Sequence, residues 1–159
     1  MRIQMKLYQF YDQLFIPANI DEVWDFISTP SNLRLITPSH MDFEITSHHL
    51  PSKMHPGMII TYKVSPLPFF RTTWVTEITH VQDKHYFVDE QRFGPYSFWQ
   101  HQHWLQLTEQ GVQMSDLVSY KPPFGVLGQF ANWIFIRKQI QQIFDYRKRA
   151  LNELFMAKQ

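Results

Sequence analysis

His101 and His103, with Asp89 before them and Asp116 after, are the residues whose types and spacing could do chemistry. On a strand, residues i and i+2 share a face with Cβ atoms about 6–7 Å apart, so an extended segment here presents both imidazoles together. A carboxylate beside an imidazole fixes its tautomer and builds a general base. Asp89 and His101 are the candidate catalytic pair for such a proton shuttle. Imidazole and carboxylate together also suit zinc, iron or nickel, with Asp89, Asp116 or His80 completing the set. Two plainer roles compete: buried hydrogen bonds that tie strands together, and a polar patch that orients a small molecule in an apolar pocket. No serine-nucleophile motif, phosphate-cradling glycine loop or HExxH accompanies the pair, which removes hydrolase and nucleotide chemistry. The chain has no cysteine, so thiolate catalysis, disulfides and iron–sulfur ligation are excluded. No cofactor motif is present and none is expected.

Positioning such residues takes a framework, and proline marks its segments. The ten prolines fall between periodic stretches, as residues without an N–H should. Residues 6–16 read as a strand ended by Pro17. Asn19-Ile20-Asp21-Glu22 reads as a capped helix start, with Asn19 as the cap and Glu22 completing a capping box. A second short helix spans Asn32 to Ile36 with Ser31 as its cap. Residues 41–48, 58–65, 70–82, 85–93, 97–109 and 112–121 read as strands. From about Gly128, Trp133, Ile136, Ile140, Ile143/Phe144, Leu151 and Leu154/Phe155 form one apolar stripe on a helix of over 25 residues. The expected class is α+β: a curved seven-stranded antiparallel sheet, two short helices, and a long C-terminal helix that covers the sheet and encloses a pocket. The 159 residues suit a single domain spanning 1–159.

Strand alternation then sorts side chains by face. A Gln110-Gly111 turn places Trp99, His101, His103, Leu105 and Leu107 on one face with Met114, Asp116, Val118 and Tyr120. An Asp83-Lys84 turn places Trp74, His80, Phe87, Asp89, Gln91 and Phe93 together. A turn on Pro95 sets Asp89 opposite His101 and Gln91 opposite Trp99. Phe98 and Trp104 fall on the outer face, where they would suit a homodimer contact. Pro122 to Gly128, with Phe124 at its tip, reads as a mobile lid or pocket mouth. Arg147-Lys148-Arg149 reads as a solvated helix face with Asp145 paired to Arg149, while Arg137 and Lys138 could meet a ligand's anionic group.

The run Phe87-Val88-Asp89-Glu90-Gln91-Arg92-Phe93-Gly94-Pro95-Tyr96, followed by Trp99-Gln100-His101-Gln102-His103, resembles a bacterial branch of the SRPBCC (START-like, polyketide cyclase/dehydrase) superfamily. Phe15-Ile16-Pro17-Ala18, Ser31-Asn32-Leu33, Pro123-Phe124-Gly125 and Ile143-Phe144-Asp145-Tyr146-Arg147 extend the resemblance over the whole chain. It implies a helix-grip fold with a deep pocket for an apolar, aromatic or lipid-like molecule. Trp74, Phe87, Trp99, Leu105, Tyr120 and Phe124 would wall that pocket, and Asp89, Gln91, His101 and His103 would orient its occupant. Relatives of this fold include both binders and enzymes, so a cyclase- or dehydratase-like activity stands beside plain binding.

Composition bounds the rest. Twenty-six aromatics (14 Phe, 7 Tyr, 5 Trp) in a chain only 18% charged require either a bulky core or a ring-lined cavity. A net charge of +1 lacks the clustered basic footprint of nucleic-acid binders. The longest apolar runs are four residues, Trp133 to Ile136 and Leu154 to Ala157, where a membrane span needs about 20. The N-terminus has no signal-peptide h-region. The expectation is a cytoplasmic protein whose membrane contact is at most peripheral.

Overall fold

The computed structural model describes residues 6–67 and 69–157. Strand β1 (Tyr8–Ile16) leads into helix α1 (Ile20–Ile27) and 3₁₀ turns at Pro30–Ile36 and Ser39–Met41. Strands β2 (Glu44–Ile45), β3 (Met58–Leu67), β4 (Phe70–Gln82), β5 (Tyr86–Phe93), β6 (Phe98–Thr108) and β7 (Gly111–Lys121) follow. A helical stretch comprising α2 (Gly125–Ala131), a π-helical segment (Asn132–Ile136) and α3 (Arg137–Met156) ends the chain. The sheet is antiparallel throughout, in the order β1-β7-β6-β5-β4-β3-β2. This is the expected seven-stranded sheet and long C-terminal helix. Among the described residues no helix is long and apolar enough to cross a membrane.

Local chemistry explains the element ends. Asn19 sits in extended backbone and its Oδ1 accepts the Asp21 N–H at 2.8 Å, which starts α1. The next helix begins two residues earlier than expected because Pro30 occupies its first turn, and Ser31 makes no cap. The expected strand over 41–48 shrinks to Glu44–Ile45, since Asp42 adopts φ 47° at the end of a 3₁₀ turn. Ser47 then takes the Thr61 N–H on its hydroxyl at 2.8 Å while the Thr46 N–H still donates to Thr61 O at 2.8 Å, so a side chain supplies half of the last pairing.

The turns differ from the expected ones, with unequal consequences. β6 and β7 close through Glu109-Gln110, pairing Thr108 with Gly111. That moves the register by two from the expected Gln110-Gly111 turn, so every side chain keeps its face. β4 and β5 close through three residues, Asp83 to His85, with Lys84 at φ 58°. A bulge at Thr79 absorbs the extra residue and restores the expected pairing of Asp89 with Ile78. His80, on the hairpin side of that bulge, is turned outward and exposed, away from the site. A second bulge at Arg92 turns Phe93 outward to 72% exposure, where simple alternation places it inside.

The apolar stripe of the long helix also shifts. Asn132, Ile136, Ile140, Phe144, Arg147, Leu151 and Phe155 are the buried positions, spaced by three and four. The π-helical turn adds a residue and rotates the preceding segment, so Trp133 is exposed. Buried Asn132 accepts the Tyr120 O–H at 2.8 Å, fastening this segment to β7.

Candidate functional site

Between sheet and helix lies a cavity of about 170 Å³. Trp74 and Thr76 of β4, Phe87 and Asp89 of β5, and Trp99, His101 and His103 of β6 face it, with Tyr62 of β3 and Tyr96 of the β5–β6 loop. Gln139, Ile140, Ile143, Phe144 and Arg147 close it from α3. Six residues selected from sequence therefore line the cavity: Trp74, Phe87, Asp89, Trp99, His101 and His103. The other four are placed elsewhere. Leu105 lies in the main apolar core. Tyr120 is buried behind the wall, packed against Tyr96 and Trp99. Gln91 donates from Nε2 to Tyr96 O at 2.7 Å and accepts the Tyr96 N–H at 3.2 Å, so it braces the Gly94-Pro95 turn. A Cβ on Gly94 would stand 2.4 Å from Gln91 Oε1, so a side chain there would push the Gln91 amide out of these bonds. Phe124 is 83% exposed at the start of α2. Arg137 and Lys138 are also exposed and lie outside the cavity lining.

The polar end of the cavity is a cluster of five residues. Asp89 pairs with His101 in the sheet register, and His103 with Asp116. The hydrogen bonds cross that register. His101 Nε2–H donates to Asp116 Oδ1 at 2.8 Å, and His103 Nε2–H donates to Asp89 Oδ2 at 2.7 Å. The expected Asp89–His101 pair is thus replaced by two others, with His101 Nδ1 at 3.7 Å from Asp89. The two imidazoles stack at 3.7 Å between ring centres, and Phe87 covers His103 at 4.0 Å.

Arg147 is the member that the sequence pattern concealed. Its Nη2–H donates to His103 Nδ1 at 3.2 Å and lies 3.8 Å from Asp116 Oδ1. It is not part of a solvated basic face. Neither is Lys148, whose ammonium pairs with Asp12 of β1. Asp145 accepts from Gln141 at 3.0 Å, in place of the expected Arg149 pair. The signal for Arg147 was its position: it falls on the apolar stripe, three residues after Phe144 and four before Leu151.

Proton placement follows from these bonds. His103 Nδ1 stands between a cation and a carboxylate, 3.2 Å from Arg147 Nη2 and 3.0 Å from Asp116 Oδ1, while its Nε2 faces Asp89. Asp116 takes the His101 proton on Nε2, which leaves His101 Nδ1 as a bare lone pair beside Asp89. Burial, reinforced by neighbouring His103, pushes His101 down to about 4 despite its bonds to the carboxylates, so it is neutral at pH 7. Burial alone would push the Asp116 carboxyl up. The Arg147 charge and the two histidines outweigh that and hold it well below the usual range. Burial, then the Asp89 charge, raises the Tyr62 hydroxyl, which bonds Thr76 Oγ1 at 3.1 Å and stays protonated.

Asp89, His101 and His103 each offer a ligand atom within 4.8 Å of the others, the outline of a facial site for a divalent ion. Loading it requires removing the proton shared by His103 and Asp89, beside the Arg147 cation. The cluster as it stands is satisfied by protons. Among the described residues, two buried N–H groups of the cavity lining, Trp74 Nε1 and Arg147 Nε, have no acceptor.

No family model and no curated protein matches the sequence. Solved structures match over nearly the whole chain. The protein TTHA0849 of Thermus thermophilus aligns with TM-score 0.72 at 12% identity, covering 95% of this chain and 99% of its own. The di-domain aromatase/cyclase StfQ of the steffimycin biosynthetic pathway gives TM-score 0.71 at 10% identity, covering 96% of this chain and 51% of StfQ. Major latex-like protein 151 of Panax ginseng gives 0.69 at 10% identity, covering 94% and 97%. At such identities the likeness speaks for the fold alone, and the fold is a helix grip: a curved antiparallel sheet closed by a long C-terminal helix.

Proposed function

We propose that the protein binds an apolar or aromatic small molecule, lipid-like fragments included, with an oxygen acceptor directed at the charged end of the cavity. The observation that carries this is the cavity's polarity. Rings of Trp74, Phe87 and Trp99 form its walls, while Asp89, His101, His103 and Arg147 gather at one end. Small-molecule sites are built this way, with apolar walls and a few convergent polar groups. The unpartnered N–H groups of Trp74 and Arg147 favour an acceptor on the ligand. A volume near 170 Å³ suits one substituted ring, since an engineered cavity of about 150 Å³ takes benzene. Titration calorimetry with acetophenone and ethylbenzene, which differ by one carbonyl, tests this. Acetophenone should bind about tenfold tighter, one charge-assisted hydrogen bond being worth about 1.5–3 kcal/mol. Ile143→Trp, which fills the cavity from α3, should abolish both. Equal affinities, no binding, or binding unchanged by Ile143→Trp would refute the reading.

The bare Nδ1 of His101 favours a second reading, proton transfer. Asp116 holds the His101 tautomer as an orienting carboxylate does in general-base sites. His101 would take a proton from the carbon beside a bound carbonyl, leaving an enolate that regains a proton from solvent. Acetophenone in D₂O reports this directly, as deuterium entering its methyl group by NMR. The enzyme reading expects exchange above the buffer rate, lost in His101→Gln while acetophenone affinity stays within a few-fold. Exchange at the buffer rate leaves binding alone.

A further inference from the structure

We infer that the end of the molecule where β7 passes into α2 docks on an anionic lipid bilayer. Antiparallel order places the ends of β3, β5 and β7 and the starts of β4 and β6 at one end of the sheet. The large apolar side chains there face water: Phe69, Phe93 and Phe124 at the loops, each more than 70% exposed. The helix that follows adds Val126, Leu127, Phe130, Trp133 and Ile134, all exposed. Their spacing of i, i+1, i+4, i+7 and i+8 makes one continuous stripe. The opposite side of the same segment buries Gly128, Asn132 and Ile136 against the protein. An outward stripe this apolar calls for an apolar neighbour, and among the described residues the helix is packed only on its opposite side.

Charge selects the neighbour. From Leu117 to Phe144 the sequence contains no aspartate or glutamate, and neither does 65–76 or 93–108. Arg137 and Lys138 follow the apolar stripe directly and are exposed, without an ion-pair partner among the described residues. An acid-free apolar face bordered by cations is complementary to anionic headgroups over an acyl layer. The protruding rings come from separate loops and one helix, a relief that a fluid bilayer accepts without a matching groove. Trp133 is of the type that settles at the headgroup level. This inference does not depend on what fills the cavity.

Vesicle co-sedimentation tests it, with phosphatidylcholine alone and with phosphatidylcholine mixed with phosphatidylglycerol. The full chain should sediment with the mixed vesicles and far less with the neutral ones. Arg137→Ser and Lys138→Ser should each weaken binding to mixed vesicles about fivefold, as expected for one surface cation. Leu127→Ser with Phe130→Ser should weaken it at least tenfold through lost apolar insertion. These side chains are exposed, so the variants should melt within a few degrees of wild type, which separates lost docking from lost folding. Failure to sediment with either vesicle overturns the inference. So does a wild-type dimer by light scattering that Leu127→Ser with Phe130→Ser dissociates, because the stripe would then cover a second copy of the chain.

Discussion

Replacing Arg147 with leucine should lower folding stability by about 3–5 kcal/mol, the cost of leaving a buried charge without its partner. For a chain of this size that is a fall in melting temperature of roughly 10–15 °C. The reason lies in the surroundings of Asp116. Its side chain is 6% exposed, and among the described ion pairs the Arg147 guanidinium is its only arginine or lysine partner, beside His101 and His103. Without Arg147, burial would drive the carboxyl up and oppose its hydrogen bond from His101. Arg147→Lys should restore part of the loss, because one guanidinium nitrogen, Nη2, makes both the 3.2 Å contact to His103 Nδ1 and the 3.8 Å contact to Asp116, and an ammonium supplies the charge without the planar group's packing. Asp116→Asn in the Arg147→Leu background should recover part of the loss, giving a coupling energy of more than about 1 kcal/mol in a double-mutant cycle. Urea unfolding of the four proteins measures it. A cost below about 0.5 kcal/mol, the ordinary value for a surface charge, would show that Arg147 does not hold the cluster.

That residue also marks where a sequence stops being readable. In the string Arg147-Lys148-Arg149 all three cations look alike, and a basic run suggests a solvated face. Helical phase separates them: Arg147 sits in line with Phe144 and Leu151 and is buried, whereas Arg149 is exposed. Charge type argued one way and position the other, and position prevailed because Asp116 waits opposite with a charge of its own.

Strand parity was more faithful. The β6–β7 turn is displaced by a residue on each side, yet His101, His103 and Asp116 remain on one face, because a shift of two preserves the alternation. Bulges are what alternation does not foresee. Thr79 and Arg92 each flip the strand beyond them, and His80 and Phe93 leave the inner face as a result. Parity also gives a face without a depth. Leu105 and Tyr120 point inward as expected, but the core and the fastening of α2 take them, so neither reaches the cavity. Crossed bonding within the cluster was likewise beyond register logic. Neighbours in the ladder are Asp89 and His101, but imidazole length lets each ring reach the carboxylate diagonal to its own position, His101 on β7 and His103 on β5.

The cluster should make the protein acid-labile well above the pH at which ordinary carboxylates titrate. His101 falls from its ordinary 6.5 to about 4, so the folded state binds fewer protons than the unfolded chain between those values. Stability is therefore full above about pH 6.5 and declines as pH falls toward 4, by up to about 1.4 kcal/mol per pH unit, or about 3 kcal/mol over the window. Asp116 acts in the same direction at lower pH. Its carboxyl is held below its ordinary value, so its contribution is present above about pH 4 and lost on further acidification. The two windows follow one another, and the decline should run without a plateau from near neutrality downward. Urea midpoints between pH 7.5 and 4.5 measure the first window. His101→Gln cannot take up a proton, so it should flatten that decline by most of its slope whatever it costs at pH 7.5. An equally steep decline in His101→Gln would mean that other groups carry the acid sensitivity. The cluster matters for any occupant as well. Protonating His101 would put a proton on Nδ1, turning that lone pair into a donor and removing the base that the proton-transfer reading uses. If His101 does both, deuterium exchange into acetophenone should persist through most of the stability decline and fall to half only near pH 4, where the folded imidazole takes up its proton.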